Sequence, residues 1–162
     1  MALFVNDSGG KTSFHLDLWG RISRGHQKLH RKERMHIETW NVRTLLQAGK
    51  LENAKQKMKR NRLDVMGMCE MRWEGNGELV SGDYKLFYSG EEKQGQHGVG
   101  VLLGPRVKDK VRRVDYIDGR LMMVRLEGSE KDLVIVQTYM PTSQYDEEQV
   151  DQCFGRMEEI IE

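Results

Sequence analysis

Two short strings hold the residues best suited to chemistry: Thr39-Trp40-Asn41-Val42-Arg43-Thr44-Leu45 and Cys69-Glu70-Met71-Arg72-Trp73. Asn41 and Glu70 each close a strand-like run, which places a carboxamide and a carboxylate at successive strand ends. A glutamate there offers a hard oxygen to a divalent cation, and Mg²⁺ usually takes only one or two protein carboxylates while keeping several waters. A carboxamide beside it can orient a phosphate or a ligand water, because it both donates and accepts hydrogen bonds. The pair therefore points to a metal-bound phosphate. Taken singly, each residue has a plainer use: Glu70 as a solvated strand end and Asn41 as a cap on the turn that follows.

Residues 36–42 read as a strand. Residues 47–62 place Leu51, Ala54 and Met58 on one helical face, with Lys55, Lys57, Lys59 and Arg60 mostly on the others, and 63–69 read as a buried strand. A right-handed crossover makes the two strands parallel and brings their C-terminal ends to one edge, where open α/β sheets place ligands. Residues 74–82 form a glycine-punctuated loop. Short β-type runs follow at 84–88, 98–103, 111–117, 121–126 and 133–139, and their short connections imply an antiparallel meander continuing the sheet. From 146 onward Val150, Cys153, Phe154, Met157, Ile160 and Ile161 recur at helical spacing, giving a terminal amphipathic helix. Residues 1–35 show no sustained period and read as a flexible basic leader; 36–162 form the folded domain.

The 162 residues suit a single domain, and 38% hydrophobic with 31% charged residues is polar but globular. A net charge of +1 hides segregation: Arg21, Arg24, Lys28, Arg31, Lys32 and Arg34 lie at the front, and Asp146, Glu147, Glu148, Asp151, Glu158, Glu159 and Glu162 at the back. Cys69 and Cys153 stand far apart without ligand spacing, which argues against a zinc site or disulfide framework and for a reducing compartment. No apolar run suits a signal peptide or membrane span, so the expected location is nuclear or cytoplasmic, with no membrane partner.

Five ordered strings carry a family resemblance. They are the two above, the second extended back to Asp64-Val65, followed by His97-Gly98-Val99-Gly100-Val101, Asp118-Gly119-Arg120 and Thr138-Tyr139-Met140-Pro141-Thr142-Ser143. In this order they resemble the endonuclease/exonuclease/phosphatase family, most closely the branch found in RTE-type non-LTR retrotransposons. The resemblance implies a mixed α/β sandwich of two sheets flanked by helices, four layers in all, that cuts phosphodiesters with Mg²⁺, with DNA as partner. It makes Glu70 the metal-binding carboxylate, Asn41 a metal- or phosphate-proximal residue, and Tyr139 a phenol near the scissile phosphate. Arg120 matches an arginine whose expected job is pairing within the sheet. Arg43, Trp73, Lys59 and Arg60 become candidate nucleic-acid contacts, Trp73 by stacking. Further positives at Lys55, Lys57, Arg62, Arg106, Lys108, Lys110, Arg112 and Arg113 either meet phosphates or simply solvate a helix face and strand edges. His97 receives no role.

The sequence also departs from the pattern. The family places an Asp-x-Asn motif after the Tyr139 strand and a terminal Ser-Asp-His motif, whereas here no Asp follows Asp151 and no His follows His97. The expectation is the N-terminal half of the domain, truncated, with little nuclease activity of its own, since losing a general base removes roughly 10²- to 10⁴-fold. The missing half would supply the second sheet, leaving an apolar sheet face open to self-association. A non-catalytic nucleic-acid-binding or protein-interaction module is the alternative.

Overall fold

The computed structural model describes residues 2–6, 13–17, 34–93, 95–128 and 132–140, with positions 148, 151, 152, 155–157 and 159. In chain order the elements are β1 (Ala2–Asn6), β2 (Ser13–Asp17), β3 (Arg34–Asn41), α1 (Lys50–Asn61), β4 (Val65–Cys69), β5 (Asn76–Ser81), β6 (Tyr84–Ser89), β7 (Val99–Leu103), β8 (Val111–Asp118), β9 (Leu121–Leu126) and β10 (Leu133–Thr138). They form a six-stranded sheet, β2-β3-β4-β7-β6-β5, and a four-stranded sheet, β1-β10-β9-β8.

The β3-α1-β4 unit forms as its periodicity predicts. Ala54 and Met58 are fully buried on one face of α1, and they pack against Met66 and Met68 of β4. The helix ends where Arg62 turns left-handed, and Leu63 N–H closes back on Met58 O at 2.8 Å. Glu52 in the first turn and Lys59 and Arg60 in the last complement the helix dipole. Every residue of β4 is buried because both faces are covered: Met66 and Met68 meet α1, while Val65 and Cys69 meet the other sheet.

The second sheet lies within this chain, which corrects the expectation of a missing partner layer. Met122, Val124 and Leu126 of β9 with Leu133 and Ile135 of β10 share one core with Ile37, Val65, Val99, Val101 and Leu103 of the first sheet. The alternate residues Leu121, Met123 and Val136 face outward and gather Met140 and Met157. The face expected to be open is thus packed, and the meander expected to extend one sheet divides between two. Short connections are compatible with either outcome, so loop length alone did not distinguish them.

Two further differences concern β5 and the first two strands. The expected loop at 74–82 contains β5, paired antiparallel with β6 around Gly82-Asp83. As an outer edge strand it buries no side chain fully, and so it shows no alternation to read. Within the stretch read as a leader, β1 adds in parallel to β10, and β2 pairs antiparallel with β3. At five residues each, they are too short to set a period; the leader's basic cluster at 21–33 lies outside the described residues. Of the expected terminal helix, positions 148, 151, 152, 155–157 and 159 are helical and the rest lies outside the described residues. No helix among the described residues is long and apolar enough to cross a membrane.

The two sheets approach closely at Gly67. A methyl there would overlap Oε1 of the buried Gln137, whose Nε2 donates to Cys69 Sγ at 3.1 Å. Gly67→Ala is expected to destabilise by about 1–3 kcal/mol, as overpacking in a dense core does. A thermal melt reads the change; an unaltered midpoint contradicts this packing.

Candidate active site

The parallel register pairs Asn41 with Cys69, so the residue after β4, Glu70, stands beside the end of β3. Asn41 Nδ2 donates to Glu70 Oε1 at 2.9 Å, and Arg43 N–H donates to Asn41 Oδ1 at 3.0 Å. These two bonds fix which way the carboxamide faces. From the second sheet, Tyr139 follows β10 and its hydroxyl donates to the same Glu70 Oε1 at 2.8 Å. The three residues that the resemblance singled out therefore meet at one carboxylate oxygen. Glu70 Oε2 faces the Arg72 guanidinium at 3.8 Å.

The backbone around this carboxylate is strained. Arg43, Glu70 and Arg72 have φ of 57°, 57° and 62°, the left-handed region that residues with side chains seldom adopt. Such residues cost on the order of 1–3 kcal/mol each and cluster at functional sites. Neighbouring hydrogen bonds hold the strain in place: Val42 N–H to Cys69 O, Leu45 N–H to Met71 O and Met71 N–H to Gly98 O.

Burial alone would push the Glu70 carboxyl up. The hydrogen bonds from Asn41 and Tyr139, then the charges of Arg72 and Arg43, outweigh it and hold the group below its ordinary value. The folded chain thus binds this proton less tightly than the unfolded chain does. Glu70 therefore stabilises the fold fully above the ordinary glutamate value of about 4.3, and this stabilisation is lost as pH falls through the lowered folded value. The melting difference between wild type and Glu70→Gln should shrink as pH is lowered from about 6 to about 3; a gap that widens would contradict the sign.

The donor set fits a divalent cation of the Mg²⁺ class held by one carboxylate. Among the described residues both hydrogen bonds to Glu70 fall on Oε1, which leaves Oε2, 3.8 Å from the Arg72 guanidinium, as the hard oxygen for a cation. No group of three or more His, Cys, Asp or Glu suited to a metal occurs among the described residues. Asn41, expected as a metal- or phosphate-proximal group, spends one amide N–H on Glu70 and accepts one backbone N–H at its oxygen, which orients Glu70 and leaves its second N–H and second lone pair for a ligand. Arg43 and Arg72 place positive charge beside the carboxylate.

The candidate nucleic-acid contacts separate. Arg43 is exposed at the site, and Trp73 is half-buried nearby, edge-on to Tyr88 with ring centroids 5.0 Å apart. Lys59 and Arg60 lie at the far end of α1, where Arg62 O meets His36 at the start of β3. A strand as long as β4 puts them roughly 16 Å from Glu70 along the sheet. Several other positives have acidic partners: Lys57 with Glu38, Arg106 with Asp64, Arg112 with Glu127 and Arg113 with Asp115. Arg72 was not singled out in the sequence, although its spacing two residues after Glu70 could have signalled it. His97 and Glu91 carried no local signal. Arg120, expected to pair within a sheet, instead occupies the β8–β9 turn and lies over the Tyr139 ring, Cζ 5.4 Å from its centroid.

No family model matches the chain. It is homologous to craniofacial development protein 2: 33% identical to the Bos taurus protein over 131 residues, covering 81% of this chain and 22% of that protein. The Tragulus javanicus counterpart is 31% identical over 131 residues, covering 81% of this chain and 23% of that protein. The chain spans about a fifth of the length of these curated relatives.

Proposed function

Taking homology to craniofacial development protein 2 as premise, we propose that this chain is a retrotransposon-derived, endonuclease-like domain of the endonuclease/exonuclease/phosphatase family that binds a DNA phosphodiester together with Mg²⁺. The observation that supports it most is the meeting of Asn41, Glu70 and Tyr139 at one carboxylate oxygen, with Arg72 beside Oε2 and the charge of Arg43 also acting on the group.

Glu70 Oε2 would hold the metal, which when bound offsets charge on phosphoryl oxygens. Asn41 and Tyr139 keep the carboxylate in one rotamer and ionised. The Tyr139 phenol, now donating to Glu70, can instead donate to a non-bridging phosphate oxygen. Arg43 and Arg72 neutralise phosphates on either side. Hydrolysis also needs a base to take a proton from the attacking water. Among the described residues the imidazole nearest Tyr139 is His97, and its Nε2 is engaged by Arg120 at 2.7 Å. Binding without cutting is therefore the activity proposed for these 162 residues.

Two assays test it. Binding of a short duplex with Mg²⁺ should weaken with salt at a log-log slope of about −2, from phosphate contacts by Arg43 and Arg72, and Arg72→Ala should reduce that slope by about 1. Supercoiled plasmid should be nicked no faster than by Glu70→Ala. Absence of binding at low salt sinks the reading, and nicking above the Glu70→Ala background sinks its non-catalytic part.

A further inference from the structure

The loop after β6 reaches Tyr139 through side chains that the function above does not use. Arg120 Nη2 meets His97 Nε2 at 2.7 Å, and His97 Nδ1 meets Glu91 Oε1 at 3.3 Å. A guanidinium can only donate, so Nε2 is the acceptor and the imidazole proton sits on Nδ1, where it is donated to Glu91. Arg120 in turn lies over the Tyr139 ring and donates from Nη1 to Tyr139 O at 3.5 Å, while Tyr139 N–H donates to Arg120 O at 2.8 Å.

The backbone of the same loop grips the other side of the site. Arg72 N–H donates to His97 O at 2.8 Å, Met71 N–H to Gly98 O at 3.1 Å, and Gly98 N–H to Gly119 O at 2.9 Å. His97 itself has a left-handed φ of 40°. A Cβ at Gly119 would come within 2.6 Å of Glu91 Oε1, so the Glu91 side chain packs against the turn that carries Arg120. One loop thus touches the segment after Glu70, in the first sheet, and the Arg120–Tyr139 unit of the second.

We propose that Glu91, His97 and Arg120 form a positioning relay that sets the Tyr139 phenol against Glu70, with His97 as the strut between the two sheets. None of the three is a catalytic residue: they act on Tyr139, and none of them meets the phosphate. The bearing of the relay on phosphodiester binding rests on the function proposed above; the relay itself does not.

The test needs neither DNA nor metal, so its failure is distinct from failure of the endonuclease reading. In the ¹⁵N-labelled chain at pH 8, the His97 ring, assigned with His97→Gln, should show its proton on Nδ1. In a chain labelled with [¹³Cζ]tyrosine, the Tyr139 resonance, assigned with Tyr139→Phe, should shift in His97→Ala. It should return towards wild type in His97→Gln, whose amide can accept from Arg120 and donate to Glu91. A proton on Nε2 of wild-type His97 overturns the relay, and so does an unmoved Tyr139 resonance in His97→Ala. If His97→Ala does not fold, the wild-type tautomer and a Tyr139 resonance in His97→Gln that matches or departs from wild type decide the question alone.

Discussion

Asn41→Ala is expected to weaken Mg²⁺ binding in the presence of duplex DNA by about 10- to 100-fold, the usual loss when a partner that orients a ligating group is removed. The carboxamide supplies one of the two protein hydrogen bonds to Glu70 Oε1 and also holds Arg43 through its backbone N–H. Without it Glu70 regains rotamers in which Oε2 no longer faces the phosphate position, and Arg43 loses an anchor for its left-handed backbone. Calorimetric titration of Mg²⁺ into the chain–duplex complex measures the effect. An affinity within threefold of wild type would make Asn41 a turn cap and no more.

Ile135→Ala should lower stability by about 2–5 kcal/mol, enough to shift the melting midpoint by roughly 5–15 °C in a chain of this size. Ile135 is fully buried in β10 and packs in the core shared by the two sheets. Folded domains are stable by only about 5–15 kcal/mol, so this one truncation removes a large fraction of the total. Were the second sheet only loosely attached, the cavity would close and the melt would hardly move. The substitution therefore tests whether both sheets form one cooperative core.

The site was legible because its residues sit where topology puts them. One parallel β-α-β unit, read from the apolar face Leu51-Ala54-Met58 and the buried run of β4, brought Asn41 and Glu70 to the same edge, and the register of β3 with β4 bears this out. Tyr139 came from the order of the family strings, since nothing local says that a strand of a second sheet ends opposite Glu70. What escaped reading has a common cause. The edge strand β5 buries no face fully, β1 and β2 are too short for a period, and the division of the meander into two sheets depends on which apolar faces meet. His97 and Glu91 act through partners far away in sequence, with His97 23 residues from Arg120. Lys59 and Arg60 looked like phosphate contacts by composition, yet the direction of α1 carries them to the far end of the sheet.

The proposed function, with the charges of Arg72 and Arg43 acting on Glu70, requires that cation and phosphodiester bind together, each offsetting what repels the other. Their affinities must then be linked, by the same factor whichever is varied. The most direct measurement is the duplex affinity of wild type and Glu70→Gln with and without Mg²⁺ at fixed ionic strength. Mg²⁺ should tighten binding about tenfold or more in wild type and leave Glu70→Gln unchanged. Equal tightening in both proteins, or none in wild type, would contradict it.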